Sequence, residues 1–81
     1  MRVDKFLKNS RIIKRRQVAK EACENERVLI NGSIAKASST IDKGDIIEVI
    51  FGNNKLKVRV LNIIDGAKKS DASEMYEVVD G

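Results

Sequence analysis

Apolar positions in the first quarter of the chain recur at helical spacing. Val3, Phe6 and Leu7 take the i, i+3, i+4 positions of one face over residues 2–9, leaving Arg2, Lys5, Lys8 and Asn9 to the wet side. A connector over residues 10–14 carries the apolar pair Ile12 and Ile13, suited to plugging the gap before a second helix over residues 15–24. The stripe of that helix is Val18, Ala19, Ala22 and Cys23, and Asn25 is the best candidate for the left-handed stop after it.

Beyond residue 26 the period changes. Residues 27–30 and 33–37 form two short extended segments around Asn31-Gly32, a strong tight-turn dipeptide. Lys43-Gly44-Asp45 marks a second turn, and residues 46–51 are β-rich up to Gly52-Asn53-Asn54. Residues 55–60 then alternate, with Leu56, Val58 and Val60 on one side and Lys55, Lys57 and Arg59 on the other. Residues 65–73 are polar and predict a mobile loop before a last strand over residues 75–79. The pattern predicts an α+β fold: two N-terminal helices packed on a small, mostly antiparallel β-sheet of four or five strands. No linker interrupts it, so residues 1–81 are expected to form a single domain.

Charge sharpens this picture by its distribution. The net charge is +4, yet residues 1–20 hold eight basic residues against the single acid Asp4, a local +7, while residues 21–81 carry −3. The attraction for an anionic partner is concentrated in the two helices. Catalytic parts are missing: the chain has no His, no paired carboxylates on one short element and no glycine-rich phosphate loop. No cofactor or metal is expected, because a single Cys without His falls short of the usual zinc ligand set. Cys23 lies on an apolar stripe and reads as an inert core thiol, in keeping with a reducing, cytoplasmic setting. No apolar run is long enough for a membrane span or a signal peptide.

The basic cluster is rich in Arg, including Arg15-Arg16, and a guanidinium fork meets phosphate oxygens in two places where an ammonium acts as a point charge. Acids are nearly excluded from it, whereas a merely solvated helix interleaves both signs. The aromatic residues are Phe6, Phe51 and Tyr76, with Phe6 committed to the core, so a platform for stacking splayed bases is not expected. Recognition through phosphates and shape favours folded, double-stranded RNA. The stripe Lys55, Lys57 and Arg59 reads first as a device that keeps a sheet surface soluble. Asp4, alone in a basic field, reads as an orienting partner for neighbouring Arg side chains. A DNA-binding helix-turn-helix and a basic-faced protein adaptor are the rival readings, the former disfavoured because β-structure follows the helices at once.

Met1 to Leu7, the Ser10-Arg11 step, Lys14-Arg15-Arg16 leading into Val18-Ala19, Val28 to Gly32 and Lys43-Gly44-Asp45, taken in order, resemble the S4-type RNA-binding domain over about residues 1–51. The chain looks like a free-standing member, similar to the bacterial heat-shock RNA-binding proteins and more closely to the ribosome quality-control members. That resemblance implies binding to ribosomal RNA and P-site tRNA on a large ribosomal subunit holding a stalled nascent chain. It also implies a quality-control partner factor that adds alanine tails. By position, Arg2 and Arg16 match the RNA-contacting arginines of the family most directly, and Lys5, Arg11, Lys14, Arg15 and Lys20 share their face. A monomer with no membrane association is expected. Two positions depart from the family pattern: Lys14 stands where many members have a capping Ser or Thr, and Asn25-Glu26 replaces a common Gly.

Overall fold

The computed structural model describes residues 1–79 of the chain. Helix α1 spans Val3–Asn9 and α2 spans Arg16–Glu24. Strands β1 (Val28–Ile30), β2 (Ser33–Ile34), β3 (Ile46–Phe51) and β4 (Asn54–Val60) follow, then a 3₁₀ turn Lys69–Asp71, a helical turn α3 (Ala72–Met75) and β5 (Tyr76–Val78). The strands form one sheet in the order β2-β1-β3-β4-β5, every neighbouring pair antiparallel. The expected two helices on an antiparallel sheet are what the structure has.

The β4 alternation is realised directly. Val58 and Val60 face the core with Ile47 and Val49 of β3, while Lys55, Lys57 and Arg59 point to the outer face. Two of these cations are matched across the sheet, Lys55 with Glu48 at 3.4 Å and Arg59 with Glu77 at 2.6 Å. Against the inner face lie Val3, Phe6 and Leu7 of α1, all fully buried, together with Ile13, Ala19 and Cys23. Leu, Val and Phe side chains of this kind each contribute about 1.5–3 kcal/mol when withdrawn from water, and they fix both helices to one side of the sheet.

The turns explain the register. Asn31 (φ 51°) and Gly32 (φ 85°) both lie in the left-handed region, as a two-residue hairpin turn of the primed type requires. The Asn31 side chain accepts from the Ile46 N–H at 2.9 Å and donates to Asp45 at 3.1 Å, so the β1–β2 turn is tied to the turn that launches β3.

Several expectations need correction: the last strand runs over Tyr76–Val78, with Met75 closing α3, and the strand after Asn31-Gly32 is only Ser33–Ile34. Asn9 is buried, because its amide nitrogen reaches the Ile64 carbonyl at 3.4 Å instead of water. Val18 is 46% exposed, lining an open hollow with Ala22, Ile50 and Phe51 instead of packing into the core. Residues 65–73 are not an open loop throughout: the 3₁₀ turn and α3 carry fully buried Met75 into the core, and its carbonyl accepts from Leu61 and Asn62. Lastly, the left-handed residue after α2 is Glu26 (φ 60°), not Asn25 (φ −91°). The Arg27 N–H bonds the Ala22 carbonyl and the Glu26 N–H that of Cys23, the paired closing bonds of a Schellman motif.

A non-glycine residue in that conformation costs roughly 1–2 kcal/mol, against the roughly 0.5–1 kcal/mol entropic cost of a glycine. Glu26→Gly should therefore raise stability by about 0.5–1 kcal/mol in urea unfolding, whereas Glu26→Val should lower it.

Candidate nucleic-acid interface

Arg2 is held in extended backbone just ahead of α1. It pairs with Thr40 in an isolated bridge, while the Val3 N–H donates to Ser39 at 2.7 Å and the Ile41 N–H to Met1 at 3.0 Å. Arg16 opens α2, whose N-cap position is taken by Arg15, and no side chain caps that N-terminus. The two arginines lie on different helices and are brought together by the carboxylate between them.

That carboxylate is Asp4, only 2% exposed. Its Oδ1 accepts the Lys5 N–H at 2.7 Å, and its Oδ2 accepts from Nη2 of Arg2 at 3.2 Å and lies 3.6 Å from Nε of Arg16. An anion withdrawn from water is tolerated only when its lone pairs are matched in this way. Each arginine side chain is about half exposed, so guanidinium donors not used by Asp4 can serve an outside acceptor. Asp4 thus orients the arginines, as its isolation among cations suggested.

Arg2, Lys5 and Arg16 line one shallow depression of about 470 Å³ with Met1, Ile63 and Asp65. Lys20 lies apart from it, in a neighbouring hollow of about 520 Å³ shared with Arg2, Cys23, Glu24 and Ile34, and pairs with Glu24 at 4.0 Å. Arg11, Lys14 and Arg15 are exposed on and beside the α1–α2 connector without an ion-pair partner among the described residues. Arg11 takes φ 65° as the chain reverses out of α1, which turns its backbone toward the start of α2.

Sequence reasoning missed Asp65. Its carboxylate sits 2.6 Å from Nζ of Lys5, whose hydrogen bond and charge hold the Asp65 carboxyl below the usual carboxylate range. Sixty residues separate the pair, and the only local signal is the turn dipeptide Asp65-Gly66. Cys23, by contrast, is where its stripe placed it: it is 3% exposed, and burial together with the charge of Asp4 pushes its thiol up from 9.0 to about 11. No group of His, Cys, Asp or Glu suited to a metal ion occurs among the described residues, and no described helix is long and apolar enough to cross a membrane.

The S4 domain model matches residues 1–47, the segment that carries both helices and the Arg2, Lys5 and Arg16 of the basic depression. The chain belongs to the S4 domain family. It is 51% identical over 79 residues to a Streptococcus pneumoniae protein named RQC P-site tRNA stabilizing factor, covering 98% of this chain and 90% of that one. A Bacillus subtilis protein of the same name is 48% identical over 79 residues, covering 98% and 92%. Among solved structures, the trimeric structure of Vibrio cholerae heat shock protein 15 superposes with a TM-score of 0.88 at 28% identity, covering 98% of this chain and 81% of that one.

Two measurements check this geometry. Asp4→Asn raises the net charge, so charge counting alone predicts tighter RNA binding. Loss of the lock on Arg2 and Arg16 should instead weaken affinity about three- to tenfold at fixed salt, read by fluorescence anisotropy. For Cys23, the raised thiol pKa leaves about one molecule in a thousand as thiolate at pH 8, so a disulfide reagent should label the folded protein about a hundredfold more slowly than the unfolded chain. Labelling at equal rates would place the thiol outside the core.

Proposed function

We propose that this chain is a non-catalytic RNA-binding factor that holds ribosomal RNA and P-site tRNA on the large ribosomal subunit during rescue of stalled nascent chains. There it assists a partner factor that adds alanine tails. The observation that carries this reading is the Asp4-locked pair Arg2 and Arg16 beside Lys5, in a chain about half identical to proteins named for stabilizing P-site tRNA. Two guanidinium groups held by Asp4 with donors to spare suit phosphate oxygens of a folded RNA, with little ordering left to be done on binding.

In this reading Arg2, Lys5 and Arg16 form the centre of the contact, while Arg11, Lys14, Arg15 and Lys20 extend it along the connector and α2. Phe51, 44% exposed at the end of β3, lies beside Val18 and Ile13 rather than in the basic depression, which fits recognition by phosphate and shape rather than by stacking. The outer sheet stripe is left out because Glu48 and Glu77 already engage Lys55 and Arg59.

Binding to purified large subunits carrying peptidyl-tRNA should fall steeply with salt, with a log–log slope of order −3 to −6. Arg2→Ala and Arg16→Ala should each cost about 1–3 kcal/mol of binding, Arg16→Lys an intermediate amount, and Lys57→Ala little. A salt-independent association, or equal losses from Lys57→Ala and Arg16→Ala, would reject this placement.

A further inference from the structure

The depression holding Arg2, Lys5 and Arg16 is flanked by a later part of the same chain. Ile63 and Ile64 pack against the core, and the bond from buried Asn9 to the Ile64 carbonyl ties that backbone to α1. Asp65 follows at once, so its position over Lys5 is built into the fold and not left to a wandering loop. The carboxylate itself is 76% exposed, so a side-chain rotation is enough to move it from paired to free.

A carboxylate oxygen accepting from an ammonium group makes the same kind of charge-assisted bond that a phosphate oxygen makes. We propose that Asp65 is an internal competitor for the RNA phosphate that binds at Lys5, a specificity-determining residue that lowers the affinity of the face for any polyanion unable to displace it. This rests on the RNA-binding reading above.

A phosphate arriving at Lys5 must either push the carboxylate aside or share the ammonium with it, and the proximity of like charges disfavours sharing. Because the pair is exposed, its own energy is small, so Asp65 tunes binding without blocking it. An RNA that also engages Arg2 and Arg16 gains enough to turn the carboxylate away; one that meets Lys5 alone does not. The two aspartates of the site therefore act in opposite senses. Asp4 stands behind the cations and orients them, whereas Asp65 stands in front of one and competes for it.

Asp65→Asn removes the charge while keeping the size of the side chain, and Asn is as suited as Asp to a turn before Gly66, so the turn should survive. Its affinity for a fluorescein-labelled RNA duplex of arbitrary sequence should rise about three- to tenfold at about 0.1 M salt. In a Lys5→Ala background the same substitution should bring no gain. Glu77→Gln, which removes an equal charge beside Arg59 on the outer sheet face, should leave affinity unchanged. An unchanged affinity for Asp65→Asn, a gain that persists without Lys5, or an equal gain from Glu77→Gln would each overturn the proposal. Salt-dependent binding by the parent with an unresponsive Asp65→Asn refutes the competitor alone; absence of salt-dependent binding in the parent refutes the RNA reading and the competitor with it.

Discussion

A single buried carboxylate sets the terms for the functional end of this molecule. Asp4 is drawn out of water by the packing of α1 against the sheet, since its neighbours Val3, Phe6 and Leu7 are fully buried. Once there it must be matched, and the matching groups are the N–H of Lys5, the guanidinium of Arg2 just ahead of its own helix and that of Arg16 from the next. Arg2 and Arg16 are thereby placed by the electrostatic demand of the carboxylate beneath them and not by their own helix surfaces. A buried charge stripped of its partners would be costly, so helix packing and ligand geometry stand or fall together.

The sheet contributes by what it withholds. Its inner face supplies the floor on which both helices rest, and its outer face disposes of two further cations in cross-strand pairs with Glu48 and Glu77. The field of a +4 chain is consequently not spread evenly. The connector cations Arg11, Lys14 and Arg15 face solvent without an ion-pair partner among the described residues, while Arg2 and Arg16 rest on Asp4, Lys5 lies beneath Asp65 and Lys20 near Glu24. Electrostatic steering of an RNA toward one end of the molecule follows from this asymmetry, because exposed charges act over about 10 Å at ordinary salt and the two faces are separated by the core.

Much of this architecture was legible in the chain. Helical spacing at Val3, Phe6 and Leu7, period-two alternation through β4 and the Asn31-Gly32 turn are local patterns, and local sterics with burial suffice to translate them into elements. The polarised charge was legible too, because counting needs no structure. The orienting role of Asp4 followed from its being the lone acid among eight cations. Where the reading slipped, a neighbour distant in sequence often decided the outcome, although the Glu26 stop after α2 is local and closed by bonds within residues 22–27. Asn9 is buried by a bond to Ile64, Met75 is drawn into the core by a helical turn inside a polar stretch, and Val18 is left half-exposed in an open hollow beside Phe51.

What the sequence by itself determined, then, is the order of the two helices and the strands, the inward faces of α1 and β4 and the end of the molecule that carries positive charge, since each depends on period or count. Tertiary structure alone decided which cations converge. Arg2, Lys5 and Arg16 share a depression while Lys20 opens onto another, and the chain folds Asp65 back over Lys5 from 60 residues away. Convergence of this kind depends on how two helices cross and where a late loop is tied down. Both are set by long-range packing, which leaves no periodic trace along the chain.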